Sequence, residues 1–144
     1  MKYYILTVVA CLLAAGVSAQ DKKQKGITVP PAAMIAFQKA YPHAAKVEWE
    51  KEDADYEVNF TAGSKVMSAV YDASGTLKET EENILVNELP SGIVTYMKLH
   101  YKGAAIKQAA KITKANGEVN CEAEVNKTDV IFSRDGRFLK EEKD

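Results

Sequence analysis

The side chains able to do chemistry are few and scattered. Cys121 could act as a nucleophile with His43 or His100 as its base, because a thiolate needs a neighbouring proton acceptor. No local motif places either histidine beside it, and Cys121 falls among alternating apolar residues, where a free cysteine behaves as a small hydrophobe. The two histidines lack zinc-ligand spacing. Asp53, Asp55 and Glu57, or Asp72 with Ser74, offer oxygens to calcium, but neither segment has the acidic spacing and glycine of an EF-hand loop. Asp72 and Ser74 are also ordinary residues of a tight turn. Glu79, Glu81 and Glu82 read as a solvated strand end. The sequons Asn59-Phe60-Thr61 and Asn126-Lys127-Thr128 read as chance matches. No catalytic residue, metal site or cofactor is predicted.

Composition bounds the rest. The chain has 144 residues, 47% hydrophobic and 27% charged, with 19 Lys and Arg against 20 Asp and Glu. That length suits one average domain or two small repeats. Without a basic excess, nucleic acid is not an expected partner.

Residues 1–20 have the tripartite form of an export signal: Lys2, an apolar run from about Tyr4 to Ala15, and small residues Val17, Ser18 and Ala19. A cut after Ala19 is expected, giving a periplasmic or secreted protein. The apolar run is shorter than the roughly 20 residues of a membrane span. Val8-Val9-Ala10-Cys11 loosely resembles a lipoprotein box but lacks a polar tether after it. Removal of Lys2 takes the net charge from −1 to −2, and removal of Cys11 leaves Cys121 alone. Residues 20–26 form a polar, basic leader expected to be flexible.

An internal repeat organises the chain beyond that leader. Val29 to Ala45 lies over Leu89 to Ala105 at an offset of 60, with Pro30 on Pro90, Phe37 on Met97 and Tyr41 on Tyr101. Val70 to Glu79 lies over Ile131 to Lys140 at an offset of 61. Two tandem copies are expected, 27–84 and 85–144, each a helix followed by four antiparallel strands. The fold class is therefore α+β.

The helices are predicted near 31–41 and 90–102. Met34, Phe37 and Tyr41 recur at helical period, as do Ile93, Val94, Met97 and Tyr101. Proline opens both, and Pro42 and Gly103 end them. The remainder alternates in the manner of half-buried strands. Val47 and Trp49 alternate with Glu48 and Glu50. Tyr56, Val58 and Phe60 alternate with Glu57 and Asn59. Val119, Cys121, Ala123 and Val125 alternate with Glu122 and Glu124. Ile106, Ala110 and Ile112 share the apolar parity of their strand. Asn116-Gly117 suits a type I′ hairpin. Short amphipathic helices and alternating strands must bury each other. One sheet face is expected to be apolar and the other wet.

The runs VPPAAMIAFQKAYPHAAKVEWEKEDADYEVNF and VYDASGTLKETE, followed by ELP opening a second copy, resemble the PepSY-like, β-lactamase-inhibitor-like proteins exported by Bacteroides-type bacteria. That resemblance implies tandem α-β repeats, periplasmic or surface placement and no established activity. The chain departs from that pattern at Cys121, where an aromatic residue is usual. The expected function is a non-enzymatic binding or inhibitory module. Its protein partner would lie on the polar sheet face, on Glu48, Glu50, Glu57, Glu122 and Glu124, with Met67 or Tyr71 as an apolar anchor. The alternative is a small-ligand or calcium-binding protein, or an envelope enzyme, with a pocket between the repeats lined by Trp49 and Tyr56.

Overall fold

The computed structural model describes residues 26–143. The expected cut after Ala19 and most of the leader lie outside them. The order is α1 (Pro31–Ala40), β1 (Ala45–Glu52), β2 (Asp55–Ala62), β3 (Lys65–Tyr71), β4 (Leu77–Ile84), a 3-10 turn at Val86–Glu88, α2 (Ser91–His100), β5 (Gln108–Lys114), β6 (Val119–Val125), β7 (Thr128–Ser133) and β8 (Phe138–Lys143). The order helix then four strands thus occurs twice. All eight strands join one antiparallel meander in sequence order.

Local chemistry sets the helix ends. Pro31 occupies the first turn of α1, where its missing N–H costs nothing. The Tyr41 N–H bonds the Phe37 carbonyl at 2.8 Å, and Pro42 cannot extend the ladder. At the end of α2, Lys102 takes the left-handed conformation at φ +52°. The Gly103 N–H then returns to the Lys98 carbonyl at 3.0 Å, a Schellman closure.

Both helices lie on one face of the sheet. Ala33 and Phe37 of α1 pack with Trp49, Val58, Phe60, Ala69 and Tyr71. Leu89, with Ile93 and Met97 of α2, packs with Ala109, Cys121, Ala123, Val125, Val130 and Phe132. Trp49 is 8% exposed and belongs to the first core, as its parity predicts.

Three expectations need correction. In β5 it is Ala109 that faces the helices; Ala110 and Ile112 are buried on the opposite face. Asn116-Gly117 is not a type I′ turn. Only Gly117 has positive φ, and the Gly117 N–H bonds the Lys114 carbonyl, giving a three-residue loop with a glycine bulge. Two adjacent positive-φ residues, as type I′ requires, occur instead at Asn126 and Lys127 between β6 and β7. Glu79, Glu81 and Glu82 are not a solvated strand end but lie within β4, hydrogen-bonded between β3 and β5.

The sheet is strongly coiled. Seven strand intervals of about 4.8 Å would hold the edges of a flat sheet about 34 Å apart. Yet Glu52 of β1 and Leu139 of β8 line the same cavity. Accumulated strand twist closes the helix-free face into a trough. That explains why Ile112 and Ile131, which no helix covers, are only 3% and 2% exposed.

Candidate functional site: an acidic trough on the helix-free face

Strand register assigns the trough residue by residue. Glu50 stands opposite Glu57, Glu57 opposite Val70, Val70 opposite Glu79, and Glu79 opposite Lys114. A second row runs Glu48, Asn59, Ser68, Glu81, Ile112 and Asn120. Across the other half, Ala110, Glu122, Ile131 and Lys140 align, and beside them Glu124, Asp129 and Glu142. Carboxylates dominate and two lysines interrupt them. Lys114 pairs with Glu79, and Lys140 with Glu142 at 2.8 Å.

The predicted residues fare differently. Glu48 and Glu50 are exposed and Glu124 is half-buried, all on this face. Glu57 and Glu122 are on it too, but at 7% and 5% exposure they are not a solvated fringe. Met67 and Tyr71 are on the other face, in the first core with Trp49, so neither anchors a partner in the trough. The residues of β3 that do face it are Val66, Ser68 and Val70.

Burial and crowding govern the carboxyls. Burial is the main cause that pushes Glu57 up to about 7, with Glu50 and Glu79 adding repulsion; the Ser68 hydroxyl, hydrogen-bonded to it, pulls the other way. Burial and then Glu57, Glu79, Asp53 and Asp55 push Glu52 up to about 7. Glu81 is raised by burial and by Glu57, Glu79, Asp129 and Glu52. Glu122 is raised by burial, then by Glu81, Asp129, Glu124 and Glu142. Carboxylates this close cannot all ionise, so the trough holds protons at neutral pH. Oε2 of Glu122 has no hydrogen-bond partner among the described residues.

At one end the trough deepens into a cavity of about 360 Å³. Val70, Ile112, Ile131 and Leu139 give it an apolar lining, and Glu52, Asp53, Asp55, Lys78, Lys114 and Lys140 are among its charged residues. The composition of this floor was missed in the sequence, because Val70, Ile112 and Ile131 look like ordinary core positions. Trp49 lines a different cleft, of about 500 Å³, between α1 and β1 on the helix side; Tyr56 is not part of it.

The other candidate groups have structural partners. The Cys121 thiol is buried, and burial raises its pKa, against what a nucleophile needs. His100 stacks on Tyr96 at 3.9 Å, and His43 is in the exposed turn after α1. Oδ1 of Asp72 accepts from the Ser74 N–H, the Ser74 hydroxyl and the Thr76 N–H, while Oδ2 pairs with Lys78 at 3.2 Å. Asp72 therefore organises its turn. Among the described residues no group of His, Cys, Asp or Glu is arranged to hold a metal ion.

The family described as putative β-lactamase-inhibitor-like, PepSY-like matches residues 20–77 and 54–140. The chain belongs to this family. Solved structures share this fold. A putative periplasmic protein from Bacteroides eggerthii superposes with a TM-score of 0.71 at 15% identity, covering 80% of this chain and 88% of that one. A DUF2874 family protein from Bacteroides ovatus gives 0.68 at 18% identity, covering 81% and 88%. A BLIP-like protein from Bacteroides fragilis gives 0.61 at 24% identity, covering 85% and 91%. At these identities the neighbours establish the fold alone. None of the curated proteins compared with the chain matches it. No helix among the described residues is long and apolar enough to cross a membrane.

Proposed function

We propose that the chain is an exported, non-enzymatic binding or inhibitory module that engages a protein partner through the acidic, helix-free face of its sheet. One observation carries this reading. The two helices cover one face, and the other is an open trough in which carboxylates far outnumber lysines. A basic partner is favoured, with charge acting mainly on association rate and specificity. The family description and the BLIP-like neighbour support an inhibitor-type module. The buried Cys121 thiol supports the absence of nucleophilic catalysis at that residue. The PepSY-like repeats are read as 27–84 and 85–144, after a signal ending at Ala19 and a leader over 20–26. Periplasmic or secreted placement rests on that signal and on the B. eggerthii neighbour.

The test uses Glu48→Lys, Glu50→Lys and Glu124→Lys together, at exposed or half-buried positions that leave the buried acids intact. Immobilised wild type is compared with this variant for capture from a periplasmic extract, read by mass spectrometry. The expected result is a retained protein that elutes with salt and is lost with the triple variant. Retention unchanged by the triple variant would sink the reading.

A further inference from the structure

The cavity at the end of the trough is more specific than an acidic surface. Within the face just proposed, we infer that it receives one arginine or lysine side chain of the bound protein partner. The lining has two parts that match such a side chain. Val70, Ile112, Ile131 and Leu139 offer apolar surface to a methylene stem. Glu52, Asp53 and Asp55 stand beside them and make no ion pair among the described residues.

The cations at the same cavity are already engaged. Lys78 pairs with Asp72, Lys114 with Glu79, and Lys140 with Glu142. An incoming anion would meet carboxyls that no cation pairs with, Glu118 as well as Glu52, Asp53 and Asp55, and no unpaired cation, whereas an incoming cation finds partners there and favours ionisation of Glu52.

A buried acceptor also points to a donor ligand. Asn120 lines the cavity and is 5% exposed. Its Nδ2 donates to Oε1 of Glu118 at 3.2 Å, which orients the amide. Oδ1 is buried with no hydrogen-bond partner among the described residues. A buried acceptor left unsatisfied is costly, and an ammonium or guanidinium N–H would satisfy it. The volume of about 360 Å³ falls within the roughly 300–1,000 Å³ range of small-molecule sites, so a long side chain fits.

The probes are a capped Leu-Arg-Leu tripeptide, the same peptide with neutral citrulline for arginine, and free agmatine. They are titrated into the mature protein and followed by NMR of its methyl and side-chain amide groups. The arginine peptide should saturably shift the Ile112, Ile131 and Leu139 methyls and the Asn120 amide. The citrulline peptide and agmatine should each bind at least about tenfold more weakly, one lacking the charge and the other the flanking peptide contacts. Val70→Phe, which fills the cavity, should abolish the arginine-dependent shifts. If that variant loses its dispersed spectrum, Glu52→Gln with Asp53→Asn and Asp55→Asn tests the same point at residues outside both cores.

Equal binding of arginine and citrulline peptides would overturn the inference, as would the absence of saturable shifts. Agmatine binding as tight as the peptide would overturn it in favour of a small-cation site. If partner capture is lost with the Glu48, Glu50 and Glu124 reversals yet survives Val70→Phe, the face binds a partner and the cavity assignment fails. Loss of neither would remove both.

Discussion

The two halves of the sheet share a frame but fill it differently. In the first, the strand residue Trp49 adds a large ring to the cluster that Phe37 and Tyr41 bring from the helix and its end. Trp49 meets Phe37 edge-on at 5.6 Å, Phe37 meets Phe60 at 5.0 Å, and Tyr41 meets Phe60 at 4.5 Å. In the second, the strand position matching Trp49 is Ala109: Trp49 stands opposite Val58, and Ala109 opposite Ala123. There the added ring comes from the helix: Tyr96 packs on Phe132 at 5.3 Å and on Phe138 at 5.4 Å. Position 36 in α1, sixty residues earlier, is alanine. A core constrains filled volume more tightly than it constrains which element supplies it.

The largest test of that contrast is Trp49→Ala. It removes the ring on which the first core is built and should cost about 3–5 kcal/mol in chemical denaturation. Tyr96→Ala should cost less, since Tyr96 is only half-buried. A loss below about 1 kcal/mol at Trp49, the level of surface substitutions, would mean the first half does not depend on its aromatic cluster.

The trough repeats the contrast in its charges. Glu57 and Glu122 occupy matching places, since Tyr56 stands opposite Tyr71 as Cys121 stands opposite Phe132. Where the first half has Ser68 opposite Glu81, the second has Asp129 opposite Glu142. Ser68 donates a hydrogen bond that partly offsets the burial of Glu57; Asp129 instead adds a negative charge beside Glu122. The second half therefore holds its proton more firmly.

These charges make stability depend on pH. Glu57 has a folded value of about 7 against 4.5 unperturbed. Between those values the folded state binds more protons than the unfolded state, so stability falls as pH rises through that window and levels off above it. Glu57→Gln should flatten that slope. It should also stabilise the protein above pH 7 by on the order of 3 kcal/mol, at about 1.4 kcal/mol per unit. Asp72 and Asp135 act oppositely and in a lower window. Their values are depressed by turn hydrogen bonds, and their contribution is lost as pH falls below about 4. A melting temperature that rises from pH 5 to 7 would refute the assignment for Glu57.

A smaller difference lies in the paired turns. Gly75 and Gly136 both have positive φ, +83° and +87°. A Cβ on Gly75 would lie 2.6 Å from the Ala32 carbonyl oxygen, whereas one on Gly136 would make only ordinary contacts, with the Ile93 side chain at 3.6 Å, the Ile93 nitrogen at 3.8 Å and the Pro90 Cβ at 3.9 Å. Gly136→Ala should cost roughly 1–2 kcal/mol, the left-handed penalty alone. Gly75→Ala should cost roughly twice that, because backbone at the start of α1 must move. Equal costs would show that the first helix is not pinned by its turn.

Much of the fold was legible because each strand carries its own alternation. Trp49, Val58 and Phe60 share a face with their glutamates opposite, and the helices start and stop at proline and near glycine as expected. Parity failed where it was flat. Ala109 and Ala110 are equally small and both buried, so alternation alone does not orient β5. Met67 and Val70 are both apolar, so β3 could not be oriented. The match of Glu57 with Glu122 was hidden by unequal hairpins. Tyr71 lies six positions after Lys65, but Phe132 only four after Thr128, so the register that aligns the turns misaligns β2 with β6. The trough itself required coiling, which no single strand encodes. Without it Ile112 and Ile131 could not be buried away from the helices.

The smallest expected effect is at Cys121, and it separates packing from chemistry. This residue stands opposite Phe132 in the second core, where the first half has Tyr56 opposite Tyr71. Tyr56 keeps its ring at the half-buried margin under the Lys51 ammonium, 4.0 Å from the centroid. Cys121 is 6% exposed and packed among Ala109, Ala123 and Phe132. Burial raises its thiol more than Arg134 and Lys111 lower it, so little thiolate is present at neutral pH. Cys121→Val keeps an apolar group of similar size, and stability should change by less than about 1.5 kcal/mol. In the native protein the thiol should react with a disulfide reagent only as fast as the second half opens, and denaturant should accelerate it. Rapid labelling without denaturant would place the sulfur at a solvent-accessible site and would end the reading of Cys121 as core filler.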